Sequence, residues 1–128
     1  MLDIDHFKRF NDHYGHQVGD DALRQVGKLL QSFARRPMDM AVRLGGEEFA
    51  LLLYECDADQ LQAIGEALRN GLATLNIPHS ASPTANHLTV SMGARLAKDG
   101  ESSEELYRRV DRLLYQAKQA GRNHLTLG

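Results

Sequence analysis

Gly45-Gly46 lies between two apolar runs, Met40-Ala41-Val42 before it and Phe49-Ala50-Leu51-Leu52-Leu53 after it. That pattern leaves the backbone little choice. It favours a tight turn joining two neighbouring antiparallel strands, because both central residues of such a turn need positive φ. The spacing predicts a hairpin of 39–43 and 49–54. Two carboxylates, Glu47 and Glu48, follow the glycines onto the outgoing strand. Adjacent like charges repel, so a fold gains nothing from them by themselves. Either they form a solvated acidic turn or they serve a divalent cation, since hard cations prefer carboxylate oxygen.

Asp3-Ile4-Asp5 reads as a strand with both aspartates on one side. The segment 7–12 predicts a short amphipathic helix burying Phe7 and Phe10. Tyr14 to Asp20 reads as a glycine-punctuated turn into a helix over 19–34, with Leu23, Val26, Leu30 and Phe33 on one face and Arg35-Arg36-Pro37 at its end. A second long helix over 57–75 carries Leu61, Ile64, Leu68 and Leu72, with Asp57 or Asp59 as N-cap. Residues 76–86 hold two of the three prolines and read as loop. Residues 87–96 predict a strand. Ser102 to Glu105 forms a capping box for a third helix carrying Leu106, Val110, Leu113, Leu114 and Ala117, which Gly121 stops. A short strand over 124–127 follows. This order predicts an α/β (α+β) fold, one sheet with helices on its faces.

A chain of 128 residues with 42% hydrophobic and 25% charged content suits one domain around one core. The abrupt start, Met1-Leu2-Asp3, reads as the end of a strand whose beginning is missing. Residues 1–128 are therefore expected to be a single domain excised from a longer protein. A net charge of -2 gives no bulk electrostatic case for nucleic acid or an anionic membrane. Cys56 is the only cysteine, which excludes an internal disulfide and a cysteine-based zinc site and fits a reducing compartment. No apolar run approaches the roughly 20 residues of a membrane span, and no basic segment of a signal peptide is visible. A cytoplasmic location is expected, with any membrane anchor supplied by the rest of the full-length protein.

If the first strand lies beside the hairpin, Asp3 or Asp5 meets Glu47 or Glu48. Carboxylates converging from separate elements make a site for Mg²⁺ or Mn²⁺, with water and substrate phosphate as further ligands. Near such a centre Lys8 becomes a phosphate ligand; otherwise it is a surface cation. Asn11 is either a helix-end polar residue or a partner for a base edge. His16 is a turn residue or a substrate contact. Asp20 is either placed by the helix dipole or accepts the two adjacent N–H donors of guanine. It is a poor match for the N1 acceptor of adenine, which argues against ATP. Lys118 and Arg122, four apart, favour a helix C-terminus and are also placed to reach a triphosphate. Arg36 and Asp39 cap a turn or recognise a guanine nucleotide.

Taken in order, these fragments resemble the GGDEF family of diguanylate cyclases. The resemblance runs from Asp3 to Lys8 with Asn11, through Tyr14-Gly15-His16 with Gly19-Asp20, to Gly45–Phe49. It continues through Thr89–Gly93 and ends at Tyr115–Lys118 with Gly121–Asn123. Glu47 makes this the GGEEF variant of the signature. The resemblance implies a mostly antiparallel central sheet of about five strands, palm-like as in nucleotidyl cyclases and polymerases. It implies condensation of two GTP into cyclic di-GMP and two pyrophosphates, each 3′-hydroxyl attacking the other's α-phosphate across two facing domains. By matching position, Asp3, the Ile4 carbonyl and Glu47 bind Mg²⁺ or Mn²⁺, two ions per site. Glu48 assists at the metal, Glu47 acts as general base and Lys8 stabilises the transition state. Asn11, His16 and Asp20 bind substrate, Lys118 and Arg122 hold phosphates, and Gly45 and Gly46 leave room for the triphosphate. Arg36 and Asp39 match an inhibitory product site, with the region of Ala67 and Arg69 as the source of a further arginine. The implied partners are GTP, cyclic di-GMP and a second copy of the domain, in bacterial signalling. The alternative is a non-catalytic module that binds GTP or cyclic di-GMP.

Overall fold

A computed structural model describes residues 1–128. Nine elements follow in order: β1 (Leu2–Ile4), α1 (Phe7–Tyr14), α2 (His16–Gln31), β2 (Met40–Gly45), β3 (Glu48–Leu52), α3 (Ala58–Leu75), β4 (Val90–Ala94), α4 (Ser103–Gln119) and β5 (Leu125–Leu127). The sheet has the order β2-β3-β1-β4-β5. Every pairing is antiparallel except β4 with β5. The expected five-stranded, mostly antiparallel sheet is present. Its first strand lies at the centre, between the hairpin and β4.

The two faces of the sheet are covered differently. Leu2, Ile4, Phe49, Val90 and Met92 point to one side and form a single core with Phe7 and Phe10 of α1, Ala22, Val26 and Leu30 of α2, and Leu68 and Leu72 of α3. On the other side α4 lies over β4. Its backbone comes so near that a Cβ on Gly93 would sit 2.3 Å from Leu114 N and 2.7 Å from the Val110 carbonyl. The β2–β3 half of that second face stays open, with Met40 57% and Leu52 53% exposed. Asp3, Glu48 and Ser91 are directly opposite one another in register, so they share this partly open face.

Several boundaries differ from expectation. Only Gly15, at φ 89°, separates α1 from α2, so α2 begins at His16 and Asp20 lies in its second turn rather than its first. α2 stops at Gln31, ahead of the arginines and Pro37, where Ser32 Oγ donates to the Leu29 carbonyl. The hairpin turn is shifted by one residue. Gly45 pairs with Glu48, so the loop pair is Gly46-Glu47, with a register shift between Arg43 and Gly45. Both glycines do carry positive φ, 144° and 54°, but Glu47 belongs to the turn and not to the strand. β4 is shorter than the apolar run because β1 ends at Ile4. Beyond it Thr89 meets the turn at Asp5, and Leu88 N–H donates to the Ile77 carbonyl instead. Asp57 is the α3 N-cap, in a full capping box with Gln60. At α4 only half of the expected box forms, Ser102 Oγ accepting from Glu105 N–H.

Candidate active site

β1 carries the first carboxylate. Asp3 is 7% exposed, faces Glu48 across β1–β3, and accepts a 2.9 Å bond from Lys118 Nζ. The Glu47 carbonyl accepts from Ile4 N–H at 3.2 Å, which ties the hairpin turn to the end of β1. Burial pushes the Asp3 carboxyl above its ordinary value. Lys118 pulls the other way, and the Glu47 and Glu48 charges add to the rise. The Glu47 and Glu48 charges therefore act on a buried carboxylate whose direct positive partner is Lys118. No three His, Cys, Asp or Glu side chains converge on a common point. The expected ligand set needs only Asp3, Glu47 and a backbone carbonyl. A buried carboxylate with two acidic neighbours is a donor set that suits a hard divalent cation.

Asp5 has a different role from Asp3. It is 2% exposed and accepts from Ser91 Oγ (2.6 Å), Thr89 Oγ1 (2.7 Å) and Asn123 N–H (2.9 Å). Both aspartates do share one side, as alternation predicts, but Asp5 is consumed internally. It pins the turn after α4 to the turn after β1. Arg122 and Asn123 adopt left-handed backbone there, at φ 63° and 45°. The Arg122 charge reaches His6 and helps to depress its pKa, after burial. Sequence reading gave Asp5 no such role. The available signal was the matching alternation Thr89-x-Ser91, which places two hydroxyls on the face that the aspartates share.

Lys8 and Asn11 lie on α1. Lys8, His16 and Asp20 are exposed and free of side-chain hydrogen bonds or ion pairs. Asn11 Oδ1 is buried without a partner. It lies over Gly19, where a Cβ would sit 1.8 Å from it. Asn11 and the Gly19-Asp20 step thus form one patch, joining two residues expected to read the same base. Positive φ favours glycine at both hairpin positions, and no other side chain or backbone lies within 4 Å of where a Cβ on Gly45 or Gly46 would sit, so the space beside the turn is open.

Arg36 and Asp39 lie in the turn just ahead of β2, roughly 20 Å along the strand from the hairpin turn. They hold the chain closed. Arg36 Nη1 donates to the carbonyls of Tyr54 (2.7 Å) and Glu55 (2.8 Å), while Asp39 accepts from Arg36 N–H and Tyr54 N–H. The Tyr54 N–H bond, first among the causes, holds the Asp39 carboxyl below its ordinary value. Beside them is a cavity of about 260 Å³ lined by Phe33, Arg35, Tyr54 and Gln60 among others. Arg69 does not reach it. Its guanidinium pairs with Glu66 and Asn123, so α3 supplies no arginine to this cavity.

The family described as "Diguanylate cyclase, GGDEF domain" matches residues 1–124. The chain is similar to the probable diguanylate cyclase DgcT of Escherichia coli K12, 35% identical over 128 residues, covering 99% of the chain and 28% of that protein. It is 40% identical over 126 residues to diguanylate cyclase VdcA of Vibrio cholerae, covering 98% and 37%. The chain thus spans roughly a third of the length of these relatives. Among solved structures, the GGDEF domain of DgcB from Caulobacter crescentus in complex with c-di-GMP superposes with a TM-score of 0.87 at 37% identity, covering 98% of this chain and 74% of that one. The active GGEEF domain of a diguanylate cyclase from Vibrio cholerae gives 0.82 at 32% identity, covering 98% and 78%. No helix of the chain is long and apolar enough to cross a membrane.

Proposed function

Because the chain belongs to the GGDEF-domain family of diguanylate cyclases, we propose that it condenses two GTP into cyclic di-GMP and two pyrophosphates. The observation that carries this reading is Asp3 facing Glu48 across β1–β3, with Glu47 in the adjoining turn and Lys118 on Asp3. Phosphoryl transfer needs positioning and charge neutralisation more than covalent help. Each 3′-oxygen forms a bond to the α-phosphorus of the other GTP, and the bond from that phosphorus to the pyrophosphate oxygen breaks. Two such bonds close the ring, so a second copy of the domain brings the second GTP.

Asp3, the Ile4 carbonyl and Glu47, assisted by Glu48, would hold Mg²⁺ or Mn²⁺, two ions per site. When bound, these activate the attacking oxygen and stabilise the leaving one. Glu47 takes the proton of the 3′-hydroxyl. Lys8 stabilises the phosphoryl charge. Lys118, already beside Asp3, and Arg122 hold the phosphates. The first-turn N–H groups of α1 have no intrahelical acceptor and no side-chain cap, which adds donors beside them. Asn11 and Asp20 read guanine, and His16 contacts the substrate.

The cavity beside Arg36 and Asp39 is proposed to take the product, cyclic di-GMP, and to restrain turnover. Incubating concentrated protein with GTP and Mg²⁺ and analysing the products tests both parts. Cyclic di-GMP is the expected product, and Glu47→Ala should abolish it without unfolding the chain. Retained activity in Glu47→Ala would sink the general-base assignment. GTP binding with no product would instead indicate a non-catalytic module. Added cyclic di-GMP should inhibit, and folded Arg36→Ala should escape inhibition; equal inhibition of both proteins argues against that cavity.

A further inference from the structure

The segment between α3 and β4 is not a free loop. It closes on itself through His79 N–H to the Asn86 carbonyl and Leu88 N–H to the Ile77 carbonyl. It then reaches across to α1 at both ends. At the C-terminal end, Ser80 bonds the Tyr14 hydroxyl and His13 Nε2. At the N-terminal end, Thr84 Oγ1 meets His6 Nε2 at 2.9 Å, and His79 Nε2 lies 3.1 Å from the His6 carbonyl.

His79 is 1% exposed, and its ring stands edge-on to Phe10 at 5.2 Å. A carbonyl only accepts, so Nε2 carries the proton and donates. In the neutral ring Nδ1 is then bare, and it is buried with no partner. That unsatisfied nitrogen has an energetic cost, which points to a role for the other one. The His6 carbonyl is also the acceptor for Phe10 N–H, the first bond of α1. His6 itself is held in left-handed backbone at φ 54°, unusual for a residue with a Cβ. The turn between Asp5 and Phe7 is therefore strained locally and fixed from outside.

We infer that residues 77–88 form a strap over α1, and that His79, through the His6 carbonyl, is the positioning residue that sets the β1–α1 turn for substrate phosphate. The role toward phosphate rests on the proposed function; the strap does not. His79 touches no reacting atom in this reading. It fixes the direction of the α1 first-turn donors and the height of Asn11 above Gly19.

Amide hydrogen exchange tests the strap without any nucleotide. In His79→Leu, an apolar side chain with no donor, exchange at Phe10 should accelerate. In His79→Gln, whose amide N–H reaches the same carbonyl, exchange should return toward wild type. With GTP and Mg²⁺, His79→Leu should raise KM about tenfold, as loss of one buried bond at the turn implies, and leave kcat nearly unchanged. Unchanged exchange at Phe10 in folded His79→Leu overturns the strap. Faster exchange with an unchanged KM overturns its role toward substrate. If the wild-type chain neither binds nor converts GTP, the nucleotide reading fails with the phosphate role, and exchange alone still decides the strap. Should His79→Leu fail to fold, Thr84→Val removes the second contact to His6 and should shift exchange the same way; no shift there overturns the proposal.

Discussion

Gly19 and Asn11 touch so closely that a change at one moves the other. A methyl at Gly19 collides with Asn11 Oδ1, which is the end of a rotatable side chain and swings away cheaply. Gly19→Ala should therefore keep or raise stability, by up to about 1 kcal/mol from helix propensity. It should also weaken GTP binding about tenfold by displacing one contact to the base. Calorimetry on the folded variant checks this, and unchanged affinity would remove Asn11 from the guanine site. The same glycine explains why the start of α2 was hard to read. Glycine disfavours helix interiors, so Gly15 and Gly19 together looked like one long turn, whereas Gly19 is helical and is there for its neighbour. Asp3 was legible for the opposite reason: its partner Glu48 follows a turn that glycine marks plainly. Asp5 was harder to read, because the hydroxyls that it binds lie 84 and 86 residues away, and the Thr89-x-Ser91 alternation says which face they take but not which strand they meet.

Among the elements, α4 has the tightest fit. Its backbone rests on Gly93, so a Cβ there has only main-chain atoms to push against. Gly93→Ala should lift α4 from β4 and lower stability by about 3 kcal/mol, in the range for overpacked sites. The urea midpoint measures it, and an unchanged midpoint would mean that the helix can shift freely. Activity should fall with it, since Lys118 rides on the same helix. The helices themselves were legible in their apolar spacing and caps, which are local signals. The extent of β4 was not, since a strand ends where its neighbour ends, and β1 is only three residues long.

For the molecule as a whole, acid is the condition that strains it. Burial, with the His13 and Arg9 charges, lowers the His79 pKa below 6.5 against the pull of the His6 carbonyl. Between 6.5 and that lowered value the unfolded chain binds a proton that the native chain does not. The stability is fully present above 6.5 and is lost as pH falls. The melting temperature should therefore drop as pH falls below 6.5, and His79→Gln should reduce that drop, with the His6 imidazole, lowered in the same direction, contributing the rest. An equally steep drop in the variant would assign it to other groups. The sheet order was not written in the sequence, although the strands were. That β1 lies at the centre follows from long-range closure, which no window of residues reports.

The ion pair between Asp3 and Lys118 joins residues 115 apart in the chain, and Asn123 closes on Asp5 from even further along. The consequence is one of timing during synthesis. A ribosome delivers Asp3 115 residues before Lys118. Until then the central strand has the hairpin and β4 as neighbours but no cation against its carboxylate. Contacts of such separation form slowly. A nascent chain holds Asn11 and Asp20 long before Lys118, so under the proposed function a copy that stops short of α4 should bind the base but not spend GTP.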